Sequence, residues 1–111
     1  MKIENHPNFV VLEDEKDDII DFATFIGSQA PTKFKGQNVV LNLLKYNTLE
    51  LQHLLQFLQT SNLHRKSKQS FVIVNDGIDI DEVPFEMIVV PTLQEAEDII
   101  EMEEIERDLG F

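Results

Sequence analysis

Cysteine and tryptophan are missing from the 111-residue chain, and it holds only four glycines, four prolines, three histidines and one tyrosine. Without cysteine there can be no disulfide, no thiolate-bound zinc, no iron–sulfur cluster and no thiol nucleophile. Long apolar runs are missing too, and Met1-Lys2-Ile3-Glu4-Asn5 has none of the apolar stretch of a secretory signal, so a soluble cytoplasmic protein is expected. Positive charge is scarce. Nine basic against 21 acidic side chains give a net charge of −12, which repels phosphate backbones and anionic lipid. Nucleic acid and membrane are therefore not expected as partners. The acidity fits either a well-solvated surface or a basic protein partner.

What is present is enough apolar material for one core. The hydrophobic fraction is 42%, with eight Phe, and a chain of this length folds as a single domain without metal or disulfide staples. Gly and Pro sit singly at boundaries, and there is no repeat or linker that would divide the chain.

Phe9–Leu12, Val39–Leu43, Phe71–Val74 and Met87–Val90 are short apolar runs rich in β-branched residues and read as strands. The later ones are continuous, as in a sheet covered on its faces by crossover helices. Met1–Glu4 adds an edge strand that turns back at Asn5-His6-Pro7-Asn8. Ile19, Phe22, Ala23 and Ile26 form a helical stripe that Gly27 is expected to stop. Leu51, Leu54, Leu55 and Leu58 form a second stripe, with Asn47 and Glu50 as its opening capping pair. In Thr92-Leu93-Gln94-Glu95 a capping box starts a terminal helix whose core face is Leu93, Ala96, Ile99 and Ile100. The fold class is α/β: one domain over residues 1–104, with residues 105–111 continuing or following the last helix.

Catalytic patterns are missing one after another. There is no nucleophile elbow, no H-E-x-x-H, and no glycine-rich phosphate loop between strand and helix. His6, His53 and His64 stand alone and read as surface or boundary residues. No catalytic, cofactor-binding or metal-ligating residue is assigned, and no cofactor is expected. Asn75-Asp76-Gly77-Ile78-Asp79-Ile80-Asp81-Glu82 concentrates carboxylates; it reads as a solvated polar turn, with a hard cation as the alternative occupant. The one basic cluster, His64-Arg65-Lys66-Ser67-Lys68, follows a helix whose C-terminal dipole it complements. At the end, Ile105, Leu109 and Phe111 form a candidate anchor that docks either on the domain itself or in a groove on a partner.

Asn38-Val39-Val40-Leu41-Asn42-Leu43 leading to a capped helix, then Phe71-Val72-Ile73-Val74-Asn75, resembles the STAS domain of anti-sigma-factor antagonists. The stretch Ile88-Val89-Val90-Pro91-Thr92-Leu93-Gln94-Glu95-Ala96 is similar to that family's last strand and helix. The resemblance covers nearly the whole chain. It implies a mixed four- to five-stranded sheet with helices packed largely on one face, and a regulatory protein-binding role through the surface around the second helix's start. Here that surface is Asn47, Thr48, Glu50, Leu51 and Gln52. The family's Asp-Ser-Ser-Gly turn, phosphorylated on its second serine, falls on Glu50-Leu51-Gln52-His53, so no hydroxyl occupies the position. Thr48 is the nearest hydroxyl, either a phosphate acceptor or a residue that merely helps start the helix. Some small bacterial proteins of this look carry the label ribonuclease Z. That activity needs a two-metal His/Asp site, for which the chain has neither the ligands nor the length.

The resulting expectation is a non-catalytic regulatory module that binds another protein, basic or anti-sigma-kinase-like, with self-association as a further option. A small-molecule or divalent-cation binding domain is the alternative, with Asp76, Asp79 and Asp81 as its candidate residues.

Overall fold

The apolar runs pair side by side in a computed structural model that describes residues 1–110. Strand β1 (Lys2–Asn5) lies antiparallel to β2 (Val10–Glu13), and β3 (Val39–Asn42), β4 (Phe71–Val74) and β5 (Ile88–Val90) follow in parallel. Spatial order equals chain order, so each strand lies beside its sequence neighbour.

Side chains alternate between the two faces of a strand, and here both faces are buried. Val10, Leu12, Val39, Leu41, Phe71, Ile73 and Val89 point to one face. That face packs against Ile19, Phe22, Ala23 and Ile26 of α1 (Ile19–Gln29) and against Leu54 and Phe57 of the second helical segment. Val11, Val40, Val72 and Val74 point the other way, onto Ala96 and Ile100 of α4 (Leu93–Asp108). The mixed sheet of the expected size is thus present. Two of the three helical layers share a face, and α4 covers the opposite one.

Local chemistry sets the helix ends. Asp18 caps α1 by accepting from Asp21 N–H at 3.0 Å, and Thr92 caps α4 by accepting from Glu95 N–H at 3.1 Å. Gly27 does not stop α1, which runs on to Gln29 before Pro31. Its role is close packing, since a Cβ there would meet Thr60 Oγ1 at 3.3 Å. The second helix does not start at Asn47. Its N-cap is Glu50, whose backbone N–H donates to His53 Nδ1 at 3.3 Å. It is also not continuous: α2 (Leu51–Leu54) passes through a 3₁₀ turn (Leu55–Phe57) into α3 (Leu58–Lys66). The tighter turn carries Phe57 into the core and leaves Leu55 exposed. Leu93, expected on the core face of α4, is likewise exposed. Helix α4 runs past residue 104 to Asp108, so the terminal segment continues it.

Polar side chains close the amino ends of the strands. Asn38 Nδ2 donates to Asn8 O at 2.9 Å, while its Oδ1 accepts from Ser70 N–H at 2.8 Å and from Arg107 at 3.2 Å. Arg107 also donates to Ser70 Oγ at 3.3 Å, which ties the far end of α4 to β3 and β4.

His64 is buried, against the surface or boundary position expected of it. The ring lies edge-on to Phe71, and Nε2–H donates to Gln37 O at 2.6 Å. Burial pushes its pKa below the usual histidine value, and the bond to Gln37 offsets this only in part. The unfolded chain therefore takes up a proton near pH 6.5 that the folded chain refuses, and stability falls as pH drops below that value. Between about pH 7.5 and about pH 5.5, where histidine is the main titrating side chain, the melting temperature is expected to decline. His64→Asn is expected to flatten that decline in thermal melts.

Candidate interaction surface at the carboxyl ends of the strands

At the carboxyl ends of β2, β3 and β4 the chain leaves the sheet in three loops, and buried polar side chains lock them together. Asp14, just beyond β2, is buried and accepts from Lys16 N–H at 3.0 Å and Asp18 N–H at 3.3 Å. These bonds fix the entry to α1. Tyr46, the only tyrosine, donates to Asp14 Oδ2 at 2.5 Å, and Lys45 Nζ reaches Asp14 O at 2.5 Å and Asp17 at 3.1 Å. The β2 and β3 loops are thereby joined.

Asn75, buried just after β4, joins the next pair. Its Nδ2 donates to Leu43 O at 2.9 Å and Tyr46 O at 3.0 Å, and its Oδ1 accepts from Gly77 and Ile78 N–H, each at 3.0 Å. Gly77 passes so close to the β3 loop that a Cβ would lie 2.6 Å from Asn47 O. Only glycine fits this crossing.

Between these clamps lies the segment singled out in the sequence. Asn47, Thr48, Glu50 and Gln52 are exposed, Leu51 is half-buried, and Leu49 is buried as the anchor of the loop. The five residues form one patch at the start of α2, on a backbone fixed from both sides. Sequence reasoning missed Asp14, Lys45, Tyr46 and Asn75, which hold the patch. The single tyrosine beside a lysine, and an asparagine ending a wholly apolar strand, were the available signals.

The electrostatics of the Asp14–Tyr46 pair favour a clamp over proton transfer. Burial opposes ionisation of Asp14, but the hydrogen bonds from Tyr46, Lys16 and Asp18 and the nearby Lys45 charge outweigh it, and its pKa lies below the usual aspartate value. Burial and the adjoining carboxylate push the Tyr46 phenol well above its usual range. A general acid or base works best with a pKa near the working pH, and both groups are displaced away from it.

The acidic turn is Asp76–Glu82, with a 3₁₀ turn at Ile80–Glu82. Asp76, Asp79 and Asp81 are all exposed, and Asp79 spends Oδ1 on Asp81 N–H at 3.0 Å. Among the described residues no group of three or more His, Cys, Asp or Glu side chains is placed to hold a metal ion. Of the terminal anchor, Ile105 and Leu109 are 60% and 67% exposed on α4 and do not dock on the domain. Phe111 lies outside the described residues. No helix among the described residues is long and apolar enough to cross a membrane. No protein-family model matches the chain, and no curated protein matches it.

Gly77→Ala is expected to lower stability by about 1–3 kcal/mol, as overpacking against backbone does, and to shift amide resonances of residues 45–50 in NMR spectra. Tyr46→Phe leaves Asp14 short of a donor and is expected to cost about 1–2 kcal/mol near neutral pH in chemical denaturation. Because the ionised Asp14 stabilises the fold only above its folded pKa, that deficit is expected to shrink as pH falls below about 4.

Proposed function

We propose that this chain is a non-catalytic regulatory module that binds another protein, in the manner of STAS-type anti-sigma-factor antagonists but without their phosphorylatable serine. The observation that supports this is the patch of Asn47, Thr48, Glu50, Leu51 and Gln52, exposed but for the half-buried Leu51, on a loop that Asn75 bonds at Tyr46 O and that Gly77 packs against at Asn47. A surface ordered before binding loses less entropy on association, which favours recognition of a folded partner. The displaced pKa values of Asp14 and Tyr46 fit the same reading, because they suit a structural clamp. With a net charge of −12, the expected partner is basic on its contacting face or is an anti-sigma-kinase-like protein. The cytoplasm is its expected location.

Affinity capture from native cytosol, read by mass spectrometry, tests this. The double variant Thr48→Lys, Gln52→Lys, which spares the Glu50 cap, is expected to lose a partner that the unaltered protein retains, at a closely similar melting temperature. Retention of every specific partner by the double variant rejects this patch. The variant Ile105→Ser, Leu109→Ser, which keeps Arg107 and its bonds to Asn38 and Ser70, reports separately on whether these two exposed side chains contribute.

A further inference from the structure

Away from the Asn47–Gln52 patch, the end of α1 and the length of α3 border a pocket of about 170 Å³. Gly27, Ala30 and Pro31 at the end of α1 and Leu63 of α3 supply apolar wall, and Lys35, Thr60, His64 and Ser67 complete the lining. An engineered protein cavity of about 150 Å³ accepts benzene, so the space suits a single ring.

The polar groups of the lining differ in how far the chain already uses them. Ser67 Oγ donates to His64 O at 2.6 Å, and Lys35 is exposed to solvent. His64 is only 5% exposed, and its Nε2 stands 2.6 Å from Gln37 O. A carbonyl oxygen can only accept, so Nε2 carries the proton, and the neutral ring presents Nδ1 as a bare acceptor. Burial favours that neutral form. No group among the described residues donates to Nδ1. Ser61 Oγ and Glu103 Oε1 are the side-chain atoms closed to solvent without a partner among the described residues. His64 Nδ1 is not one of them, so it stays within reach from outside, and the pocket is the space that His64 lines.

A second acceptor belongs to the same wall. At the end of α1 the carbonyls of Ile26, Ser28 and Gln29 accept from Ala30 N–H, Thr32 Oγ1 and Thr32 N–H. Gly27 O would take the N–H of residue 31, which is proline and has none. The pocket thus combines apolar walls with acceptors that lack donors, the complement of a neutral ring bearing an O–H.

We propose that this pocket binds a small neutral phenol, with the ring against Ala30, Pro31 and Leu63 and the hydroxyl donating to His64 Nδ1. This goes beyond the protein-binding reading, and it uses none of the residues of that patch.

Titration of the ¹⁵N-labelled full chain with phenol and with fluorobenzene, which has as many heavy atoms and no donor, tests the hydroxyl as well as the ring. Phenol is expected to give saturable amide shifts at residues 27–35 and 60–67. It is also expected to move the His64 Nδ1 resonance, which reports a hydrogen bond accepted there. Fluorobenzene is expected to bind at least about threefold more weakly, the share that one neutral hydrogen bond supplies. Leu63 is 59% exposed, so Leu63→Asp is expected to leave the melting temperature closely similar. The same variant is expected to weaken phenol binding at least about threefold. If it disturbs the fold, Leu63→Ser serves in its place. Absence of saturable shifts up to about 20 mM phenol, a smaller preference over fluorobenzene, an unmoved Nδ1 resonance, or a smaller effect of the Leu63 substitution would overturn the proposal.

Discussion

Strands β3 and β4 are apolar on both faces, and neither face can be left to water. Val39, Leu41, Phe71 and Ile73 need one cover, and Val40, Val72 and Val74 need another. The chain meets the first need with α1 and the α2–α3 segment and the second with α4. The order of helices around the sheet follows from that demand. Because α4 is the only helix on its face among the described residues, its attachment carries the whole of that layer. Ala96 and Ile100 supply the apolar contact, and Arg107 fixes the end through Asn38 and Ser70.

Burying a sheet on both sides creates a difficulty where its strands end, because the backbone must leave the ladder while still shielded from solvent. Two asparagines solve it, one at each end. Asn38 satisfies backbone groups of Asn8 and Ser70 at the amino ends, and Asn75 satisfies those of Leu43, Tyr46, Gly77 and Ile78 at the carboxyl ends. An asparagine amide donates and accepts at once, and both sides of each amide are used. The Asn47–Gln52 patch follows directly on the backbone satisfied in this way, at Leu43 and Tyr46, which makes the proposed contact surface a by-product of closing the core.

The sheet and its helices were legible in the sequence because they depend on local signals: β-branched runs, a 3.6-residue period in α1, and the Thr92 cap. The errors arose where tertiary contact overrode a local rule. Gly27 reads as a stop until Thr60 is seen packed against it, and Phe57 is absent from the leucine stripe because a 3₁₀ turn brings it inward. His64 looked solvent-facing in a basic run, yet Phe71 and Gln37 enclose it. The members of the candidate patch could be named from the loop before α2, but not the clamps beneath them. Asp14 and Tyr46 are 32 residues apart, as are Asn75 and Leu43, and no spacing rule connects them.

The distribution of charge adds an orientation to this architecture. Lys33, Lys35, Arg65, Lys66, Lys68 and Arg107 gather toward the amino ends of the parallel strands, among Glu86, Glu103, Glu104 and Asp108, while Asp14, Asp17, Asp18, Glu50, Asp76 and Glu95 crowd the carboxyl ends around Lys16 and Lys45. A body with a net charge of −12 arranged in this way is more negative at the carboxyl ends of its strands than at the amino ends. In the field of a positively charged surface such a body would turn before it touches, with the acidic loop end leading and the opposite end trailing. Long-range torque would then select the face that arrives first, and raising the ionic strength would return the approach to random tumbling.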